Sequence, residues 1–195
     1  MSNGNFYAML NRMKLINRWG LMRNTVNENI AEHSLEVSVI AHALAIIKNT
    51  RLNGNVSPER VATLAIFHDC SEILTGDLPT PIKYYNPKIK SAYKEVETLA
   101  SNKLISMLPD DMKQSYEKLF LKDESEQELW NIVKAADKLS ALIKCIDEIK
   151  SGNNEFLQAK QSTEQALLKM NMPEVTIFTE EFLPSYSLSL DEFDF

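Results

Sequence analysis

Apolar residues recur at three- and four-residue intervals along most of the chain, and nowhere alternate over the length of a strand. Phe6, Met9, Leu10, Met13 and Ile16 form one such stripe, predicting a helix that ends near Asn17-Arg18-Trp19-Gly20, with residues 21–27 as a loop. Ile30, Leu35, Val37, Ile40, Ala41, Leu44 and Ile47 predict a long helix from about Glu28 to Asn49. After the turn at Asn53-Gly54-Asn55, Ser57 and Pro58 supply an N-cap and a first helical residue. Asn86-Pro87 repeats that signal before a stripe of Ile89, Tyr93, Val96, Leu99, Ala100 and Leu104 that reaches about Leu108. A shorter helix opens at Pro109-Asp110-Asp111, and an acidic connector follows at 122–128. Ser125 and Glu128 read as a capping box for a helix reaching Gly152. Two more helices are expected, from about Asn154 to Met170 and between Pro173 and Leu183, before an acidic, extended tail. The reading is all-α: a single domain over 1–195 with eight or nine helices.

Composition narrows the function classes. The net charge of -6 speaks against a nucleic acid polymer as partner. That charge is unevenly spread. Arg12, Lys14, Arg18 and Arg23 fall in residues 1–27, and all 27 acidic residues lie beyond them. A locally basic segment on an acidic protein suits a small anionic ligand. Two cysteines, Cys70 and Cys145, make no disulfide framework. No segment reads as the ~20 apolar residues of a membrane span, and Met1-Ser2-Asn3-Gly4-Asn5 opens no signal-peptide core. A cytoplasmic protein with no membrane partner is expected.

The densest chemistry lies in Phe67 to Pro81. The apolar run Val61 to Phe67 leads straight into His68, Asp69, Glu72 and Asp77. A core helix that ends in titratable groups is a candidate metal or acid–base site. His68 and Glu72 are four apart and share a face if the helix continues. Gly76 offers a stop, and Pro79 and Pro81 forbid continuation. Asp77 then stands on a rigid loop leaving the site. Cys70, beside this pair, could ligate or attack, although a small buried thiol is the commoner role.

Two further residues sit oddly for pure architecture. His33 lies at the start of a largely apolar helix, and Asp137 borders an apolar face four residues after Val133. An unpaired carboxylate there costs several kcal/mol, roughly 3–5, unless a cation or hydrogen-bond donor meets it. A helix-end hydrogen bond would account for His33, and a salt bridge to Lys134 or Lys138 for Asp137. Jointly, His33, His68, Asp69 and Asp137 offer two nitrogens and two oxygens from three helices, a set suited to an octahedral ion with two open positions.

The order His33, then His68-Asp69, then Asp137 resembles the HD-domain metal phosphohydrolases. Three segments are similar to the bacterial YfbR-type 5'-deoxynucleotidase family: Leu15 to Trp19, Asn29 to Leu35, and His68-Asp69 with Leu74 to Pro81. The likeness continues through Lys134 to Asp137, Gly152 to Phe156 and Pro184 to Glu192, so it covers nearly the whole chain. It implies a phosphoric monoester hydrolase that converts deoxyribonucleoside 5'-monophosphates to deoxynucleoside and phosphate. The family rejects ribonucleotides and 3'-monophosphates and forms homodimers.

On that resemblance His33, His68, Asp69 and Asp137 would hold one divalent cation, with Co²⁺, Mn²⁺, Zn²⁺ or Fe²⁺ favoured over Mg²⁺ by the imidazole ligands. The ion would polarise the phosphate and lower the pKa of a water. Glu72 would orient that water or take its proton, and Arg18 would grip the phosphate. Trp19 would pack on the sugar and leave a 2'-hydroxyl without a partner. Asp77 would accept the 3'-hydroxyl or protonate the leaving oxygen, and Leu78, Pro79 and Thr80 would wall the sugar. His42, nine residues beyond His33, is expected to be structural. A diesterase, a triphosphohydrolase or a nucleotide sensor could share the ligands, and a helical structural protein would need none of them.

Overall fold

Glycine and proline are scarce, and the chain spends its length on helices. The computed structural model describes residues 4–79, 82 and 86–193. The α-helices it describes in full are α1 (Phe6–Leu10), α2 (Ile30–Arg51), α3 (Pro58–Phe67), α4 (Glu72–Thr75) and α5 (Pro87–Ile105), then α6 (Asp110–Phe120), α7 (Gln127–Lys150), α8 (Leu157–Met170) and α9 (Pro173–Glu181). Short 3-10 turns separate several of them. No strand occurs among the described residues. One isolated antiparallel bridge joins Asn17 to Asn29. The fold is all-α, as the apolar periodicity predicts.

The chain divides into two compact units, each with its own core. The first comprises residues 1–23, 27–35 and 66–127. Phe6, Met13, Ile30, Cys70, Leu104 and Leu108 form its buried centre. The Phe, Met, Ile and Leu side chains among them each contribute about 1.5–3 kcal/mol by leaving water. Phe6 meets the Tyr116 ring edge-on at 4.8 Å, and Phe67 packs near Tyr116 and Phe120. These contacts clamp the end of α3, and so the residues that follow it, onto α6.

The second unit comprises residues 24–26, 36–65 and 128–195. Its buried residues include Leu44, Leu64, Ile132, Leu139 and Phe156. One polar knot stands among them. Glu148, almost wholly buried, accepts from the backbone N–H and the hydroxyl of Thr25, from the Asn153 amide and from Lys144. Lys144 also donates to the Val26 carbonyl. A buried carboxylate this well met is held as the anion. Burial alone would raise its pKa, but the donors, led by Lys144 and the Thr25 amide, bring it from an ordinary 4.5 to about 2.

Ser57 and Asn86 cap α3 and α5 as their sequence signals predict, accepting from the amides of Arg60 and Ile89. Four local expectations need correction. The first predicted helix breaks after Leu10 into a 3-10 turn, Asn11–Leu15. α2 starts at Ile30 rather than Glu28, because Asn29 caps it by accepting from the amides of Ala31 and Glu32. α3 stops at Phe67, and bonds of three-residue span (Cys70 N–H to Phe67, Glu72 N–H to Asp69, Ile73 N–H to Cys70) carry the chain into α4. His68 and Glu72 therefore do not share one continuous helical face. The Ser125–Glu128 capping box gives way to Asp123, which accepts from the Ser125 amide and starts a 3-10 turn ahead of α7.

α2 also amends the reading of span length. Within its 22 residues an 18-residue window reaches a mean hydropathy of 1.5, enough by length and composition to cross a membrane. More than half of that window is buried within the protein, and Lys48 near its end pairs with Glu128 and Glu174. These are the marks of a core helix.

Candidate metal centre

The site belongs to the first unit and begins with the bridge at Asn17 and Asn29. The Arg18 amide donates to the Glu28 carbonyl at 2.9 Å, and the Ile30 amide to the Ile16 carbonyl at 3.0 Å. These two bonds set residues 16–18 beside 28–30, immediately before α2. The chain between them turns sharply at Trp19, whose φ of 57° lies in the left-handed region. For a large side chain this conformation costs about 1–3 kcal/mol and persists only where neighbouring contacts impose it. Here the Met22 amide donates to the Trp19 carbonyl, and the indole Nε1 donates to a Glu28 carboxylate oxygen at 2.9 Å.

Three side chains converge on that one carboxylate. Besides Trp19 on Oε2, Oε1 receives His33 Nδ1 at 3.2 Å and faces Arg18 Nε at 3.1 Å. Glu28 is largely buried, which on its own would raise its pKa. The His33 hydrogen bond and the Arg18 charge outweigh burial and hold the carboxyl below its usual range. No sequence argument singled out Glu28. One signal was present: Asn29 followed three residues later by Glu32 is a helix-start pattern, and it throws Glu28 outside the helix.

Beyond His33 lies the pair from the end of α3. The Nε2 atoms of His33 and His68 stand 3.6 and 3.1 Å from the same oxygen, Asp69 Oδ2. Arg18 Nη1 is 3.6 Å from it as well. One ligand atom from each of His33, His68 and Asp69 falls within 4.8 Å of the others. Burial would lift the Asp69 pKa, but His68, His33 and Arg18 hold it far below the ordinary value. Two imidazoles and an ionised carboxylate, converging in a mostly buried corner, form a donor set that fits a divalent transition metal.

Of the other predicted residues, Glu72 is buried at the first position of α4, with its carbonyl accepting from the Gly76 amide at 2.8 Å. Gly76 has φ 73°, open to glycine without strain, and its carbonyl accepts from the Tyr93 hydroxyl of α5 at 3.2 Å. That bond ties down the start of the loop bearing Asp77, Leu78 and Pro79, all half-buried. Thr80 lies outside the described residues. Asp137 is half-buried on α7, in the second unit. Cys70 packs against Met13 with Sγ 3.7 Å from its sulfur, and burial pushes its thiol well up, so it is a core residue. His42 is exposed.

A family model described as 5'-deoxynucleotidase YfbR-like matches residues 5–186. A 5'-deoxynucleotidase of Erwinia tasmaniensis is 52% identical over 192 residues, covering 98% of this chain and 97% of the relative. One from Yersinia pestis is 53% identical over 187 residues, covering 96% and 95%. Among solved structures, an HD-domain phosphohydrolase from Listeria innocua superposes with a TM-score of 0.82 at 25% identity, covering 95% of this chain and 90% of its own. A cyanophage S-2L HD phosphohydrolase, bound to dA and one catalytic Zn²⁺ ion, shares the fold at a TM-score of 0.67 and 17% identity, covering 91% and 96%. With its all-α fold and its His-His-Asp corner, the chain belongs to the 5'-deoxynucleotidase YfbR-like family, HD-domain hydrolases of phosphate monoesters.

Proposed function

We propose that this chain is a metal-dependent 5'-deoxynucleotidase that releases phosphate from deoxyribonucleoside 5'-monophosphates and discriminates against ribonucleotides and 3'-monophosphates. The observation that carries the reading is the approach of His33 Nε2, His68 Nε2 and Arg18 Nη1 to one oxygen of Asp69. An ion-binding corner with a guanidinium at its edge is what a phosphate monoester dianion requires.

His33, His68, Asp69 and Asp137 would hold the ion, with Co²⁺ or Mn²⁺ suiting the mixed nitrogen and oxygen ligands. When bound, it supplies Lewis-acid polarisation of the phosphate and a water of lowered pKa. Arg18 binds the phosphate and neutralises charge that grows as the bond to the 5'-oxygen lengthens. Glu72, a buried acid at the start of α4, takes the proton of the attacking water. Trp19 forms the wall beside C2' of the sugar and offers a 2'-hydroxyl no acceptor. Asp77 accepts the 3'-hydroxyl, so a 3'-phosphate meets a like charge. Leu78, Pro79 and Thr80 complete the wall. The family model runs from 5 to 186, across both compact units, which supports one HD-type domain over 1–195. The resemblance adds a homodimer, and the composition suits a cytoplasmic setting.

Phosphate release from mono-, di- and triphosphates of deoxyribo- and ribonucleosides, each with added Co²⁺, Mn²⁺, Zn²⁺ or Mg²⁺, tests the proposal. Turnover confined to deoxyribonucleoside 5'-monophosphates supports it. Preferred release from triphosphates, or none with any metal, rejects it.

A further inference from the structure

We propose that Glu28 is the positioning residue of this site, a single carboxylate that sets the His33 tautomer and holds Arg18 and Trp19 where they act. The inference rests on the functional reading above and deepens it. An ionised carboxylate only accepts hydrogen bonds. His33 Nδ1, 3.2 Å from Glu28 Oε1, therefore carries a proton, and in the neutral imidazole the lone pair is then on Nε2. Nε2 is the atom that faces Asp69 and the ion-binding corner. Arg18 Nε meets the same Glu28 oxygen, while its Nη1 reaches towards Asp69. Trp19 Nε1 donates to the other oxygen, Oε2, and so the ring is anchored although its backbone is left-handed. The Glu28 carbonyl takes the Arg18 amide as well. Backbone and side chain of one residue thus fix a prospective metal ligand, a phosphate grip and a sugar wall. Outer groups of this kind are worth about 10–100-fold in metal affinity or activity.

The arrangement makes a graded prediction. Glutamine at position 28 has one oxygen for three donors. Its better orientation keeps that oxygen on Arg18 and His33 and turns its own N–H₂ against the Trp19 indole. Glu28→Gln should leave Co²⁺ affinity within a few-fold of the parent, red-shift the tryptophan emission and lower the deoxyribo-to-ribonucleotide ratio of kcat/KM about tenfold. Glu28→Ala releases all three donors. It should also weaken Co²⁺ binding to the metal-free chain about 10–100-fold, read by the visible absorption of bound cobalt, and raise KM for deoxyadenosine monophosphate.

A residue that merely supports the fold would lower the melting temperature and leave cobalt affinity, emission and sugar ratio alone. That pattern in Glu28→Ala overturns the proposal. If Glu28→Ala does not fold, a folded Glu28→Gln with unchanged emission overturns it equally. Cobalt titration and emission need no turnover, so they decide the role of Glu28 even if the parent proves inactive on deoxynucleotides, a result that would count against the functional reading alone.

Discussion

Arg18 and Glu28 are joined twice, by an amide-to-carbonyl hydrogen bond of 2.9 Å and by a guanidinium-to-carboxylate contact of 3.1 Å. The double link turns a loop arginine into a fixed one, with only about 12% of its side chain exposed. A pre-set guanidinium loses little rotamer freedom when an anion arrives, which is how a single cation can serve a phosphate. Arg18→Lys keeps the charge but loses the planar fork, and should raise KM for deoxyadenosine monophosphate at least about tenfold, a loss of ~1.4 kcal/mol. Steady-state kinetics against substrate concentration checks it.

Glu72 is proposed to take the proton of the attacking water. Glu72→Ala should retain cobalt and bind deoxyadenosine monophosphate while kcat falls about 10²–10⁴-fold. Isothermal titration of substrate, set beside single-turnover phosphate release, separates the two effects. Unchanged turnover removes Glu72 from the mechanism.

Chelation should abolish phosphate release, and added Co²⁺ or Mn²⁺ should restore it. Asp137, on α7 in the second unit, is the fourth ligand in the proposed set. Outer-shell losses cost about 10–100-fold in metal affinity, so loss of a direct ligand in Asp137→Ala should exceed ~100-fold. A smaller drop would leave Asp137 with a structural role.

Glu148 gives a prediction about acid stability. Its pKa is depressed from 4.5 to about 2 by Lys144, Thr25 and Asn153. The folded state therefore prefers the anion, and its stabilisation is complete above the ordinary carboxylate range. As pH falls from about 4.5 towards 2, the unfolded chain takes up the proton first and stability is lost. Glu148→Gln should flatten that decline and lower stability at neutral pH by about 3–5 kcal/mol, because Lys144 then lacks a counter-charge. Thermal unfolding from pH 7 to pH 2 follows both.

Much of this was legible in the sequence, for a physical reason. Helical period and caps are local, so the spacing of Ile30, Leu44 and Ile132 and the Ser57 and Asn86 signals foretell the helices. The residues of the His-His-Asp corner declare themselves because polar groups at the edges of apolar helices need a partner. Glu28 stayed hidden because its role depends on the bridge between Asn17 and Asn29, and backbone pairing of irregular segments leaves no periodic trace. The left-handed turn at Trp19 escaped for the same cause. The tightened spirals between His68 and Glu72 escaped because a helix that stops at Phe67 and resumes at Glu72 looks, in sequence, like one that continues.

The seat of Cys70 sets the kind of metallochemistry open to this enzyme. Adjacent to Asp69 in the chain, its sulfur is directed into the hydrophobic interior beside Met13. A thiolate facing the corner would bind soft ions tightly and slow their exchange. With sulfur withdrawn, the catalyst should load whichever borderline cation its surroundings supply and remain indifferent to thiol-blocking reagents.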